Sequence, residues 1–175
     1  MGKLKLATVW FSGCSGCHMS FLDLDHRLEE LAGVVELVYS PLVDRKEFPE
    51  GVDITLVEGA VGNREHLELL REIREKTRIL VAFGDCAVTG NVPSLRNALP
   101  REKVLEEVYG VDDPPGLRDG DVPEFLPQAS PLGRFVPVDY YIPGCPPSPE
   151  RIWRFLEALL KGREPALSGK DIRFG

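Results

Sequence analysis

Four cysteines are the residues best suited to chemistry: Cys14 and Cys17 form a Cys-x-x-Cys pair, and Cys86 and Cys145 follow singly, about 70 and 130 residues later. Four thiolates suit either zinc or an iron–sulfur cluster, because soft sulfur favours both and four ligands complete a tetrahedral ion or a cubane. Structural zinc sites usually draw two close pairs from hairpin knuckles. One pair plus two singletons instead suits a cluster seated in a preformed cleft. Gly13, Gly16, Gly84, Gly90 and Gly144 surround the thiols, so backbone can approach closely and aim N–H groups at sulfur.

Other chemistries remain open from the residues alone. Cys14-Ser15-Gly16-Cys17-His18 matches the haem c attachment string, but such haems are attached outside the cytosol and no export signal is recognisable. A thioredoxin-like dithiol would leave Cys86 and Cys145 unexplained. Each singleton could also be an ordinary buried packing residue. The Gly/Ser loop could cradle a flavin phosphate at a helix N-terminus, as flavodoxins do. Nucleophilic catalysis has no support, since no cysteine pairs visibly with a histidine base.

The elements that would position these thiols read as follows. Lys3 to Phe11 has the branched and aromatic pattern of a buried strand, and Ser20 to Ala32 the apolar spacing of an amphipathic helix that Gly33 stops. Val34 to Tyr39 and Asp53 to Val57 read as strands, Arg64 to Lys76 as a surface helix, and Ile79 to Phe83 as a fully apolar strand. Glu102 to Tyr109 is a weak helix. Ten prolines then fall between Pro114 and Pro149, which predicts an irregular excursion over about residues 110–137. Val138 to Ile142 reads as a fifth strand, and Ser148 with Pro149 opens a last helix that Gly162 ends.

Alternating strands and helices predict an α/β fold, a flavodoxin-like open, mainly parallel sheet with helices on both faces. Every cysteine then falls at a strand's carboxyl end, where such sheets build their sites. The 175 residues suit a single iron–sulfur-binding domain over 1–175. With 21 Lys and Arg against 28 acids, the net charge of −7 argues against nucleic acid as a partner. No stretch approaches the roughly 20 apolar residues of a membrane span, so a reducing cytoplasm is the expected compartment.

Four strings occur in order: Gly13-Cys14-Ser15-Gly16-Cys17, Val57-Glu58-Gly59-Ala60-Val61, Gly84-Asp85-Cys86-Ala87 and Pro143-Gly144-Cys145-Pro146-Pro147. Together they resemble the [NiFe]-hydrogenase small subunit, from Leu4 to about Leu160. The resemblance implies that Cys14, Cys17, Cys86 and Cys145 ligate one proximal [4Fe–4S] cluster, which exchanges electrons with a nickel–iron centre in a separate large subunit. This chain would hold neither nickel nor a catalytic residue. The related 20 kDa subunit of NADH:quinone oxidoreductase carries adjacent cysteines in its first motif, whereas two residues separate Cys14 from Cys17. Periplasmic hydrogenase small subunits are longer, with a twin-arginine signal and ligands for further clusters. Cys17-His18-Met19-Ser20-Phe21-Leu22-Asp23 resembles the cytoplasmic NAD-reducing (bidirectional) hydrogenases, whose diaphorase subunits bind FMN, NAD and more iron–sulfur clusters.

The implied function is electron transfer between H2 chemistry in the large subunit and a flavin/NAD diaphorase module. The alternatives are the small subunit of another cytoplasmic [NiFe] hydrogenase or quinone oxidoreductase complex, and a free-standing flavodoxin-like flavin carrier. Glu58, at a strand end beside the expected site, could hydrogen-bond the cluster loop, relay protons or approach an iron, or be a solvated or capping carboxylate. His18, Asp85 and Thr89 abut the expected ligands without an assigned role.

Overall fold

The computed structural model describes residues 2–111, 116 and 120–172. Its centre is a parallel sheet of five strands: β1 (Leu4–Trp10), β2 (Val35–Tyr39), β3 (Val52–Glu58), β5 (Thr77–Phe83) and β7 (Tyr140–Ile142). They lie in the order β2-β1-β3-β5-β7. Counting only these strands, that is the 2-1-3-4-5 order of flavodoxin-like folds. The inner strands are buried along most of their length, as a sheet covered on both faces requires.

Alternate residues along each strand serve different cores. Val57, Leu80 and Ala82 pack with Leu70 and Ile73 of α3 (Arg64–Lys76) on one face. Leu56, Val81 and Phe83 pack on the other with α1 (Gly16–Leu22), α2 (Arg27–Val34) and α6 (Pro149–Leu160). This period of two is the pleat itself. Helix α3 starts where Asn63 Oδ1 accepts the His66 N–H at 2.8 Å, and α6 where Ser148 caps Arg151 N–H.

Two features depart from the sequence reading. The helix expected over Ser20–Ala32 is two helices, broken at Asp23–His26, where Asp25 takes φ 53°. Aspartate tolerates that conformation, and the break turns Leu24 into the core, leaving it 3% exposed. Gly33 lies inside α2, which ends instead because Val35 is extended and pairs with Leu4. The proline-rich stretch also contains β6 (Phe125–Ser130), antiparallel to a short β4 (Val61–Asn63). Pro127 is tolerated because β6 pairs on one side only. Residues 112–115 and 117–119 of the expected excursion lie outside the described residues. Helix α4 (Asp85–Thr89) follows β5 directly, and a 3-10 turn (Val92–Ala98) leads to α5 (Arg101–Tyr109). Among the described residues, no helix is long and apolar enough to cross a membrane.

Candidate metal centre

Three connections leave the carboxyl ends of β1, β5 and β7, and each carries thiols. Hydrogen bonds tie the loops at this edge in pairs. Ser12 and Ala60 exchange N–H to carbonyl bonds of 3.0 and 2.8 Å, fixing the loop after β1 to that after β3. The Asp85 N–H donates to Gly144 O at 2.9 Å, and the Gly144 N–H donates back to Asp85 Oδ1 at 2.6 Å. The segments bearing Cys86 and Cys145 are thereby locked together. Ser15, at φ 64°, turns the first loop into α1, so that Cys17 sits in its first turn.

Cys14, Cys86 and Cys145 line a single cavity of about 470 Å³. Cys17 lies behind them, 7% exposed. Burial raises the Cys17 thiol pKa, and the charges of Glu58, Cys86, Cys14 and Cys145 add to the rise in that order. Cys86 is pushed up to about 11, by burial first and then by Cys145 and Cys14; a bond from the Val92 N–H to its sulfur acts the other way. Cys17 and Cys86 thus both have Cys14 and Cys145 as near neighbours in one site. A cation binding there would displace their protons.

The spacing of the donors bears on what they could hold. Among the described residues, no group of three or more His, Cys, Asp or Glu side chains comes together tightly enough to hold one metal ion. At a Zn–S distance of 2.3 Å, tetrahedral geometry would bring the sulfurs to roughly 3.8 Å from one another. A polynuclear cluster, whose thiolates bind separate irons, does not require donors drawn so close. Gly84 shows how closely the backbone closes on it. At φ 84° and ψ 162° it occupies a region open essentially to glycine alone, and a Cβ there would stand 2.2 Å from Cys17 Sγ.

Glu58 ends β3 with its carboxylate buried, 2% exposed. Oε1 accepts the Cys17 N–H at 3.4 Å and Oε2 the His18 N–H at 2.9 Å. These are orphan donors of the α1 terminus, which Ser15 does not cap with its side chain. Oε2 also lies 2.5 Å from His18 Nδ1. The two side chains are hydrogen-bonded, with the roles of donor and acceptor set by the imidazole tautomer. The imidazole is wedged edge-on against Trp10 and Phe83, and its Nε2 is buried without a partner among the described residues. Thr89 Oγ1 donates to Asp85 O within α4.

Two participants escaped the sequence reading. Val92 and Arg96, on the 3-10 turn, both line the cavity. Neither belongs to a recognisable string, and only the fold of the segment after Gly90 brings them to the thiols.

The chain is similar to several known proteins. The family model for NADH ubiquinone oxidoreductase, 20 Kd subunit, matches residues 14–159. A subunit of the F420-non-reducing hydrogenase vhu of Methanocaldococcus jannaschii is 42% identical over 173 residues, 97% of this chain and 60% of that protein. The NAD-reducing hydrogenase HoxS subunit delta of Cupriavidus necator is 40% identical over 169 residues, 93% of this chain and 81% of that protein. A solved chain of an NAD+-reducing [NiFe]-hydrogenase in the H2-reduced state aligns with a TM-score of 0.92 and 42% identity, over 99% of this chain and 100% of that one. The chain spans only about three fifths of the F420-non-reducing hydrogenase relatives it matches. On the extent of these matches, the chain belongs to the family of the NADH ubiquinone oxidoreductase 20 kDa subunit, in the branch of the [NiFe]-hydrogenase small subunits.

Proposed function

We propose that this chain is the electron-transfer small subunit of a cytoplasmic NAD-reducing [NiFe] hydrogenase, with Cys14, Cys17, Cys86 and Cys145 holding one proximal [4Fe–4S] cluster. The observation that carries the reading is the gathering of all four thiols, from three separate connections, about one cavity at the carboxyl edge of the sheet. When bound, such a cluster supplies one-electron oxidation and reduction. The chain's residues hold and shield it. Cys17 and Glu58 form the buried back of the site, while Cys14 and Cys145 stand exposed at its rim. Met19, Val92 and Leu95 are exposed apolar side chains on the elements that carry or adjoin the ligands, which suits a surface covered by a partner.

The partners proposed are a large subunit with the nickel–iron centre, where H2 is split or formed, and a diaphorase module binding FMN, NAD and further iron–sulfur clusters. Full-length similarity to a chain of the solved NAD+-reducing enzyme supports that choice. Similarity to the M. jannaschii protein supports a second reading, a [NiFe] hydrogenase serving another acceptor. Native co-purification separates them. The proposal expects a nickel-containing large subunit and a flavoprotein, with H2-dependent NAD+ reduction. A nickel subunit without that activity favours the second reading, and a lone monomer binding flavin tightly contradicts both.

Glu58 is proposed to support the ligand loop. Glu58→Ala leaves the Cys17 and His18 donors unpaired, at about 1–3 kcal/mol for each group left without a partner. It should lower the melting temperature and the iron content of the assembly, and Glu58→Gln, which keeps an acceptor oxygen, should lower both less. Equal losses in the two variants would show that the carboxylate's charge, not its acceptor geometry, matters.

A further inference from the structure

Arg96 lies on the 3-10 turn whose first residue, Val92, donates its N–H to the Cys86 sulfur. It shares the cavity wall with Cys14, Cys86 and Cys145. Thiols aside, it is the only ionisable side chain on that wall among the described residues. Its Nη2 donates to Gly62 O at 2.9 Å and Leu126 O at 3.0 Å, and its Cζ stands 5.5 Å from the Phe125 ring centroid. No ion pair to a carboxylate forms among the described residues.

This is an unusual place for a guanidinium. Burial pushes its pKa below the ordinary value, yet arginine remains charged at any physiological pH. Carbonyl dipoles and an aromatic face soften the cost of desolvation without supplying a counter-charge. The guanidinium is only partly buried and keeps part of its hydration, so the cost is modest, but the positive charge on this wall faces no carboxylate. The thiols are the groups on that wall able to become anions, and they do so when they bind metal.

We infer that Arg96 is the counter-charge of the thiol site and raises the reduction potential of the cluster held there, an inference that rests on the function proposed above. A permanent positive charge beside the site favours the more negative, reduced state, and net charge is one of the levers that set such potentials. The same side chain also ties Gly62 on β4 to Leu126 on β6. A tie alone would affect stability and leave the potential where it was.

The test is an EPR-monitored redox titration of the natively purified assembly, with the signal assigned to this chain as the one missing from a Cys145→Ser assembly. Arg96→Gln should lower the midpoint by about a tenfold change in the reduction equilibrium, or 59 mV for one electron. Arg96→Lys, which keeps the charge, should shift it by less than half as much. An unchanged midpoint in Arg96→Gln overturns the inference, whatever happens to the melting temperature. If Arg96→Gln fails to assemble, Arg96→Lys decides: a retained signal at a near-native midpoint supports the counter-charge, and its loss assigns Arg96 to geometry alone. Absence of any iron–sulfur signal in the native assembly sinks the functional proposal instead, which distinguishes the two failures.

Discussion

On the proposed function, Cys145→Ser and Cys86→Ser should each abolish the low-temperature EPR signal assigned to this chain and cut H2-dependent NAD+ reduction by more than about 100-fold, beyond the 10–100-fold expected for residues that merely support a metal site. The expectation follows from where these thiols sit. Cys145 is exposed and Cys86 only partly buried, so a serine hydroxyl at either position displaces little packing. The segments that carry them are held by the paired bonds between Asp85 and Gly144, none of which involves sulfur. Loss of signal with a near-native melting temperature would therefore report ligation, not unfolding. Cys17 makes a poorer probe, because it is also part of the core with Phe21 and Phe83. An undiminished signal in either serine variant removes that residue from the ligand set.

Gly84→Ala should be among the most damaging substitutions of a residue without a functional group. The backbone there, at φ 84° and ψ 162°, costs a non-glycine residue about 1–3 kcal/mol. The new methyl would also meet Cys17 Sγ at 2.2 Å, and relieving that overlap adds about 1–3 kcal/mol of overpacking. Both costs fall on the joint between β5 and the Cys86 helix. A drop in melting temperature accompanied by loss of bound iron is the expected result, read by calorimetry and iron analysis of the same preparation. Gly51→Ala is a useful control, since it also has positive φ but meets nothing within 4 Å. It should cost less and leave iron content unchanged.

Much of the frame was legible because single periodicities governed it. Helix α3 was readable from Arg64 to Lys76, where Leu70 and Ile73 face the core among charges and Asn63 caps the start. The Ser148-Pro149 start of α6 was equally plain. Inner strands lay within two residues of expectation because branched and apolar residues dominate each of them. The failures came where tertiary contacts overrode local pattern. Leu24 fits a helical spacing with Phe21 and Leu28, yet it reaches the core only from a turn, so the helix breaks. Strand β4 is three residues long, and its partner β6 contains a proline, so neither carries a strand signal of its own.

The candidate site divides in the same way. The cysteines and Glu58 stand in recognisable strings at strand ends, and the topology carries them to one edge. Arg96 reaches that edge through a 3-10 turn and a strand pair that no spacing announced. Its contacts are with carbonyls of Gly62 and Leu126, groups every residue possesses and no sequence pattern marks.

Iron and acid-labile sulfide analysis of the natively purified assembly, combined with low-temperature EPR of the Cys145→Ser counterpart, tests the central claim most directly. A single [4Fe–4S] cluster on this chain predicts that the substitution removes about four irons and about four sulfides per copy, along with one EPR signal. Unchanged iron and sulfide in the variant, or a flavin occupying the cavity between Cys14, Cys86 and Cys145, would contradict it.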